Sequence, residues 1–256
     1  MLKISNLQLS IGDTKILDDI SLTVRPGEHV GIIGPNGSGK TTLFNCISGF
    51  LTPQSGKIIF CNKDLLKLAP HNRALHGVGR VFQNFGIFRE MTVLENVVAA
   101  IETKKMSGIF PWSKSYQRHV SQAQEFLAEV GLGDKADKKA GTLSGGQMRL
   151  LEISRALAFG AEMFMLDEPT AGVSPKMKGE VESLLTKLSR LNKTVLIIEH
   201  DMNFIQRLCG RIIVMDTGKI ILDDTPENVR INPQLQEIYF GTINNDAHNG
   251  NQKGQA

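Results

Sequence analysis

A short glycine-rich segment combines the residue types that bind phosphate groups. Residues 34–41 read Gly-Pro-Asn-Gly-Ser-Gly-Lys-Thr and match the P-loop pattern G-x-x-x-x-G-K-S/T. Its glycines permit a tight turn that brings consecutive backbone N–H groups against a phosphate. Lys40 adds a positive charge for the β- and γ-phosphates, and the Thr41 hydroxyl is suited to ligate Mg²⁺. We therefore expect nucleotide phosphates to bind at Asn36, Gly37, Ser38, Gly39, Lys40, Thr41 and Thr42.

The residues on either side of this segment distinguish a P-loop from an ordinary glycine-rich turn. Residues 29–33 are mostly apolar and β-branched, which is typical of a buried strand. Residues 42–47 carry apolar side chains at helical spacing. A helix that begins here would point its N-terminus, the positive end of its dipole, at the bound anion.

A second candidate site follows an apolar run. Residues 163–166 end in the two carboxylates of Asp167 and Glu168. A buried central strand that ends on two acids brings both to the ligand-binding edge of a sheet. Asp167 would then hold the Mg²⁺ shell, and Glu168 would orient and partly deprotonate an attacking water. The alternative is an exposed acidic pair at a solvated strand end; the P-loop upstream favours the functional interpretation.

A third segment, Leu-Ser-Gly-Gly-Gln at residues 143–147, precedes a predicted helix. A serine and two glycines at a helix start offer free N–H groups, a hydroxyl and the positive dipole end, which together indicate a second anion site. The alternative is a simple N-cap by Ser144, which leaves Gly145 and Gly146 without a role. A second phosphate site is useful in one chain only if it serves a neighbouring copy.

Composition narrows the class of protein. The chain has 256 residues, enough for a sizeable core, and its net charge of +3 is too small to argue for nucleic acid binding. Its three cysteines have no metal-ligand spacing, which favours small buried hydrophobes in a reducing cytosol. The N-terminus lacks a signal-peptide pattern, and no stretch approaches the roughly 20 apolar residues of a membrane span. We expect a soluble protein whose membrane role, if any, comes through a partner.

Strands alternating with helices predict an α/β fold that positions these segments. The expected core has a mostly parallel sheet with helices on both faces, so that ligands bind at the carboxyl ends of the strands. Residues 2–10 and 16–24 predict an N-terminal antiparallel β subdomain, and about 92–140 an inserted helical subdomain with a loop around 108–112. We expect one domain over 1–241 and a disordered tail over 242–256, which is rich in Asn, Gln and Gly. Further predicted strands are 56–60, 78–82, 163–166, 194–198 and a strand–turn–strand over 211–222, with helices from 145 and near 176–191.

The chain resembles the ATPase subunit of an ABC transporter, a P-loop NTPase, over residues 2 to about 241. Four features carry this resemblance: the P-loop, the 143–147 segment, the strand end at Asp167-Glu168 and the downstream His200. The resemblance implies that two subunits sandwich two ATP molecules with Mg²⁺. Gln83 matches the glutamine that senses Mg²⁺, and His200 matches the histidine that contacts the γ-phosphate. The resemblance therefore implies that Glu168, His200 and Gln83 are catalytic. It implies Thr41, Gln83 and Asp167 as metal ligands. It also implies nucleotide contacts from Ser144, Gly145, Gly146 and Gln147 of a second subunit.

Two positions depart from the family pattern. Ile11 stands where the family usually has an aromatic residue that stacks on adenine. Such stacking is worth about 0.5–1.5 kcal/mol. With Ile11 in contact with adenine, we therefore expect ATP to bind several-fold more weakly than to a chain with an aromatic residue there. The loop 171–175 reads Ala-Gly-Val-Ser-Pro and lacks the acid that usually ends it, which removes a residue expected to signal across the dimer.

Several segments narrow the resemblance to LivG-like ATPases of branched-chain amino acid importers: residues 41–50, 82–84, 88–96, 107–110 and 198–202. Urea importers and the lipopolysaccharide-export ATPase share much of this pattern. A non-transport ABC protein and a binding module without turnover are further alternatives; the presence of Glu168 and His200 argues against the last. The resemblance implies a location at the cytoplasmic face of the plasma membrane, with permease subunits and a second ABC ATPase, identical or related, as partners.

The permease subunits should dock near Gln83–Phe88. Phe85, Ile87 and Phe88 lie between Gln83 and the helical insertion, and exposed apolar side chains in this stretch would form a docking groove. The alternative is that all three belong to the core of the insertion.

Overall fold

The computed structural model describes residues 1–82, 86–105, 112–233 and 235. Gln83, Phe85 and the predicted tail 242–256 lie outside the described residues. The strands are β1 (Leu2–Ile11), β2 (Thr14–Val24), β3 (His29–Ile33), β4 (Ser55–Phe60), β5 (Lys63–Asp64), β6 (Val78–Val81), β7 (Met163–Asp167), β8 (Thr194–Ile198), β9 (Arg211–Asp216) and β10 (Lys219–Asp224). The helices are α1 (Lys40–Ser48), α2 (Pro70–Leu75), α3 (Val93–Lys105), α4 (Trp112–Glu129), α5 (Gly145–Phe159), α6 (Pro175–Arg190), α7 (Met202–Leu208) and α8 (Pro226–Ile231).

Two sheets divide these strands. An antiparallel sheet has the order β2-β1-β4-β5, and a larger sheet has the order β10-β9-β3-β8-β7-β6. In the larger sheet β9, β3, β8, β7 and β6 are parallel, and only the edge strand β10 is antiparallel to its neighbour. The central strands β3, β7 and β8 are buried along their whole length, as apolar runs in a sheet covered on both faces should be.

Alternate residues of the parallel strands enter two different cores. Met163 and Met165 pack in a core that also contains Phe44 of α1 and apolar residues of the antiparallel sheet. Phe164 and Leu166, which point the other way, pack in a core with apolar residues of α3 to α8. Because successive side chains of a strand point to opposite faces, both faces of the sheet are buried against other elements. The α/β prediction is confirmed.

The predicted helical insertion contains α3 and α4. A capping box begins α3: Thr92 Oγ1 accepts from the Glu95 N–H at 3.0 Å, and Glu95 Oε2 accepts from the Thr92 N–H at 2.7 Å. Trp112 was predicted in a loop, but it is the first residue of α4. In the part of the chain that the structure describes, no helix is both long and apolar enough to cross a bilayer.

Candidate functional site

Three neighbouring parallel strands end at one edge of the larger sheet. β3 leads into the P-loop, β7 ends at Asp167 and β8 is followed by Glu199 and His200. Their order β3-β8-β7 aligns Ile32 with Ile198 and Ile198 with Asp167. The sheet thus brings together the P-loop, the acidic pair and the histidine, although they are far apart in the sequence.

Close backbone contacts explain two of the P-loop glycines. Gly39 has a φ of 99°, and a Cβ there would lie 2.8 Å from the carbonyl oxygen of Ile16. A Cβ on Gly34 would lie 2.2 Å from the carbonyl oxygen of Met215. A side chain at either position would push the loop away from its neighbours. Glycine is therefore required for the turn that opens α1.

Lys40 is buried at the base of this loop. Its Nζ donates to the carbonyl oxygens of Gly34 at 2.7 Å and Pro35 at 2.8 Å. Burial lowers the pKa of Lys40, and the negative charges of Glu168 and Asp167 oppose that shift. The ammonium group therefore lies within electrostatic reach of the two carboxylates. Among the described residues, no side chain caps the N-terminus of α1, which leaves its first N–H groups for another acceptor.

Asp167 forms a buried ion pair that the sequence did not indicate. Its Oδ2 accepts from Arg80 of β6 at 2.9 Å, and both side chains are less than 10% exposed. The same guanidinium donates to Ser48 Oγ at 3.1 Å and lies over the ring of Phe44, 5.0 Å from its centroid. Burial raises the pKa of Asp167, and the positive charge of Arg80 opposes this shift.

Glu168 and His200 are in direct contact. Glu168 Oε1 lies 3.0 Å from His200 Nε2. The backbone of Glu168 is left-handed, with a φ of 48°, and its N–H donates to the carbonyl oxygen of Ile198 at 2.9 Å. A non-glycine residue with this φ is uncommon and marks a constrained position. The two residues predicted to act on the γ-phosphate therefore face each other at the sheet edge.

The 143–147 segment starts α5 with a capping box. Ser144 Oγ accepts from the Gln147 N–H at 3.3 Å, and Gln147 Oε1 accepts from the Ser144 N–H at 3.1 Å. A Cβ on Gly146 would lie 2.5 Å from Cβ of Met177, which gives the second glycine a packing role that the sequence did not reveal. Ser144 is exposed and Gly145 is half-buried, so another molecule can reach the helix start.

A groove of about 430 Å³ borders Arg80, the partner of Asp167. Its lining is mostly apolar and includes Phe82, Phe88, Ala100, Arg155 and Phe159. Phe88 is 50% exposed, whereas Ile87 is buried in the core, so only one of these two predicted docking residues is available to a partner. Glu152 of α5 accepts from the N–H groups of Phe82 and Gly86, each at 3.1 Å, and so joins α5 to both residues.

Ile11 lies at the tip of the β1–β2 hairpin and is 60% exposed. The hairpin passes the P-loop, because the carbonyl oxygen of Ile16 faces Gly39. Within the 171–175 segment, Ser174 Oγ accepts from the Met177 N–H at 3.4 Å and caps α6, which begins at Pro175. This loop therefore joins the acidic strand end to a capped helix.

The sequence missed two residues at this site, Arg80 and Glu199. Both precede a predicted site residue by no more than three positions, and each is a charged residue within or directly after a strand: Arg80 lies in β6, and Glu199 follows Ile198 of β8. That signal was present in the sequence. Their partners were not identifiable, because they depend on which strands are neighbours.

Comparison with known proteins gives consistent matches. The family model described as "ABC transporter" matches residues 17–171. The branched-chain amino acid transport ATP-binding protein BraF of Pseudomonas aeruginosa is 38% identical, over 94% of this chain and 98% of its own. LivG of Escherichia coli is 37% identical over 94% and 98%. The lipopolysaccharide export ATP-binding protein LptB of Haemophilus influenzae is 36% identical over 94% and 97%.

Two solved structures extend the comparison to the fold. The ADP conformation of MJ1267, an ATP-binding cassette of an ABC transporter, matches with a TM-score of 0.82 and 36% identity over 94% of this chain and 98% of its own. The ATP-binding cassette MJ0796, in a dimeric post-hydrolysis state with ADP and phosphate, matches with a TM-score of 0.76 and 29% identity over 88% and 99%.

Proposed function

Because the chain belongs to the ABC transporter family and is an ATPase of that family, we propose that it drives import of branched-chain amino acids by hydrolysing ATP between two subunits. The observation that carries this proposal is the contact of Glu168 with His200 beside Asp167 and the P-loop. These groups are the parts needed to bind a triphosphate and direct water at its γ-phosphate.

Each residue has a separate role in the proposed reaction. Lys40 and the N–H groups at the start of α1 would bind the phosphates. Glu168 would orient the attacking water and take up its proton. His200 would hold the γ-phosphate through its Nε2–H. Gln83, matched only by resemblance, would report nucleotide binding to the helical subdomain over 92–140, within a single ATPase domain over 1–241.

Oxygen ligands support Mg²⁺ as the cofactor. The Thr41 hydroxyl and the Asp167 carboxylate would hold the ion, which neutralises phosphate charge when it is bound with the nucleotide. In the described residues no group of three or more His, Cys, Asp or Glu side chains could hold a metal. This fits a cation that takes most of its ligands from phosphate and water rather than from a protein cage.

The proposed assembly contains a second ATPase subunit and two permease subunits. The exposed start of α5 would bind the phosphates held by the neighbour's P-loop, through Ser144, Gly145, Gly146 and Gln147. The groove beside Phe82 and Phe88 would receive a permease segment, which would hold the chain at the cytoplasmic face of the membrane. The similarity of BraF and LivG favours amino acid import, and that of LptB makes lipopolysaccharide export the second candidate.

The first test concerns turnover. We expect Glu168→Gln to lower ATP hydrolysis by about 10²–10⁴-fold, the scale for loss of a general base, while ATP binding is retained. Phosphate release should be measured on the chain purified with its membrane partners, and ATP affinity on the same preparation. A variant with wild-type turnover would remove Glu168 from this role.

The second test concerns the solute. Deletion of the chain in its native host should abolish uptake of radiolabelled leucine, isoleucine and valine, and the wild-type chain should restore it where Glu168→Gln does not. Normal uptake together with lipopolysaccharide retained in the inner membrane would favour the export function instead. Membrane proteins that copurify with the tagged chain would identify the permease directly.

A further inference from the structure

Glu199 is a buried carboxylate with no assigned role. It lies between Ile198, the last residue of β8, and His200, and it is only 4% exposed. A buried charged group is costly unless hydrogen bonds satisfy it, so its partners indicate why it is there. Those partners are two segments of the proposed catalytic site.

The two oxygens of Glu199 hold different segments. Oε1 accepts from the Thr170 N–H at 2.9 Å and from the Thr170 hydroxyl at 2.5 Å. Oε2 accepts from the His200 N–H at 3.1 Å. Thr170 lies two residues after Glu168, so one carboxylate joins the loop that carries the acid to the backbone that carries the histidine. Hydrogen bonds to an ionised acceptor are about twice as strong as neutral ones.

We propose that Glu199 is a positioning residue that fixes the distance between Glu168 and His200 during ATP hydrolysis. The inference rests on the proposed function, because it assigns Glu199 to the same reaction. Glu199 does not touch the reacting groups; it acts through the backbone of their two segments.

We call the hydrogen bonds that Glu199 accepts from Thr170 and from the His200 N–H the clamp. The exposure of the two side chains that it positions explains its role. The side chains of Glu168 and His200 are 27% and 47% exposed, so packing alone does not fix the position of either. One further link is the hydrogen bond from the Glu168 N–H to the carbonyl oxygen of Ile198. Displacement of a catalytic group by about 1 Å can cost about 10²-fold in rate.

Glu199→Gln tests the clamp with little change in shape. Glutamine keeps one acceptor but presents an NH₂ group in place of the other oxygen, so it cannot accept from both Thr170 and the His200 N–H. We expect kcat for ATP hydrolysis to fall about 10- to 100-fold while KM for ATP stays within about twofold. The measurement uses the complex of the chain with its membrane partners.

Glu182→Gln is the matched control. Glu182 of α6 makes a two-bond ion pair with Arg207 of α7, at 2.8 and 2.9 Å. This variant makes the same chemical change, Glu to Gln, in a carboxylate that links α6 to α7. That link lies away from the sheet edge where Glu168 and His200 meet. We expect its kcat to match the wild type.

A double-mutant cycle separates positioning from general support of the fold. If Glu199 acts through His200, then Glu199→Gln should have almost no further effect on kcat in a His200→Ala background. Additive losses, or an unchanged kcat in the single variant, would overturn the proposal. Thr170→Val deletes only the hydroxyl donor, and we expect it to lower kcat a few-fold. It replaces Glu199→Gln as the test if that variant does not fold. A wild-type kcat in Thr170→Val would also contradict the proposal. An inactive wild type would instead contradict the proposed function itself.

Discussion

At the residue scale, two side-chain contacts link the strands of the site. Arg80 with Asp167 and His200 with Glu168 join positions that are 87 and 32 residues apart in the sequence. The first pair is buried, and its charges depend on each other because water cannot solvate either of them. The second is partly exposed and available to a substrate.

Removing Arg80 should destabilise the fold. Arg80→Met keeps much of the side-chain length but leaves the Asp167 carboxylate buried without its main partner. We expect a loss of about 3 kcal/mol in the free energy of unfolding, measured by urea denaturation without nucleotide. The double variant Arg80→Met with Asp167→Asn should recover part of this loss, because no uncompensated charge remains. Equal stability of Arg80→Met and the wild type would mean that the ion pair contributes nothing.

Ile11 is the position where an aromatic residue should improve nucleotide binding. The β1–β2 hairpin passes the P-loop at Ile16, and we expect Ile11→Tyr at its tip to add a ring that can stack on adenine. Stacking of about 0.5–1.5 kcal/mol corresponds to a two- to tenfold tighter Kd for ATP. Fluorescent ATP titration measures it, with a triphosphate lacking the base as control. An unchanged Kd would show that residue 11 does not contact adenine.

The sequence predicted the acids and the histidine but not their partners. Asp167 and Glu168 could be named because they end an apolar run typical of a buried strand, and His200 because it matches the histidine of the family. Arg80 and Glu199 could not be paired with anything, because the order β3-β8-β7-β6 depends on tertiary contacts. The roles predicted for Gln83 and Phe85 lie outside the described residues and stay predictions.

At the element scale, α7 positions the segment after His200. Asp201 is its N-cap and accepts from the Phe204 N–H at 3.1 Å. Its other oxygen accepts from Lys178 of α6 at 2.6 Å. This carboxylate therefore stabilises the helix start and joins α6 to α7, beside the proposed clamp.

The contribution of Asp201 should depend on pH. Its hydrogen bond with Lys178 is the main cause that lowers the pKa of Asp201 below the ordinary value of 3.8. A carboxylate whose pKa is lower in the folded state stabilises the fold above its unfolded pKa and loses this effect as the pH falls through its folded pKa. We expect Asp201→Ala to cost about 1 kcal/mol at pH 7, and the difference from wild type to shrink below about pH 4. A difference that stays constant from pH 7 to pH 3 would contradict this assignment.

Short elements were the part of the fold that the sequence did not predict. β5, α2, α7 and α8 have two to seven residues, too few for a hydrophobic period to be recognised. α2 is held instead by Arg73, which donates to the carbonyl oxygens of Cys46 and Ile47 at the end of α1. The long apolar strands and α1, α5 and α6 were predicted, because their own patterns identify them.

At the scale of the whole molecule, the proposed assembly pairs the P-loop of one subunit with the start of α5 of a second subunit. In the part of the chain described here, no hydrogen bond or ion pair links residues 144–147 to the P-loop. Family structures include a dimeric cassette with bound ADP and phosphate. In the proposed assembly, the start of α5 would bind the nucleotide held by a second subunit rather than that of its own chain.

Dimer formation should require nucleotide and an uncharged α5 start. Glu168→Gln with ATP should dimerise, alone or with its sister ATPase, as measured by size-exclusion chromatography with light scattering. Adding Ser144→Asp keeps a good N-cap but opposes phosphate, so this dimer should be lost. Thr225→Asp, at the N-cap of α8, is the matched control and should leave the dimer intact. Dimerisation of the Ser144→Asp variant would mean that phosphate is not bound there.

In the proposed mechanism, the left-handed backbone of Glu168 places a conformational cost at the residue that acts on the attacking water. Glycine or asparagine would adopt this conformation at lower cost, since strain in a sparsely populated region is of order 1–3 kcal/mol. Selection for thermal stability alone should therefore favour glycine or asparagine at position 168. Such variants would be more stable but would lack the carboxylate that the proposed reaction uses.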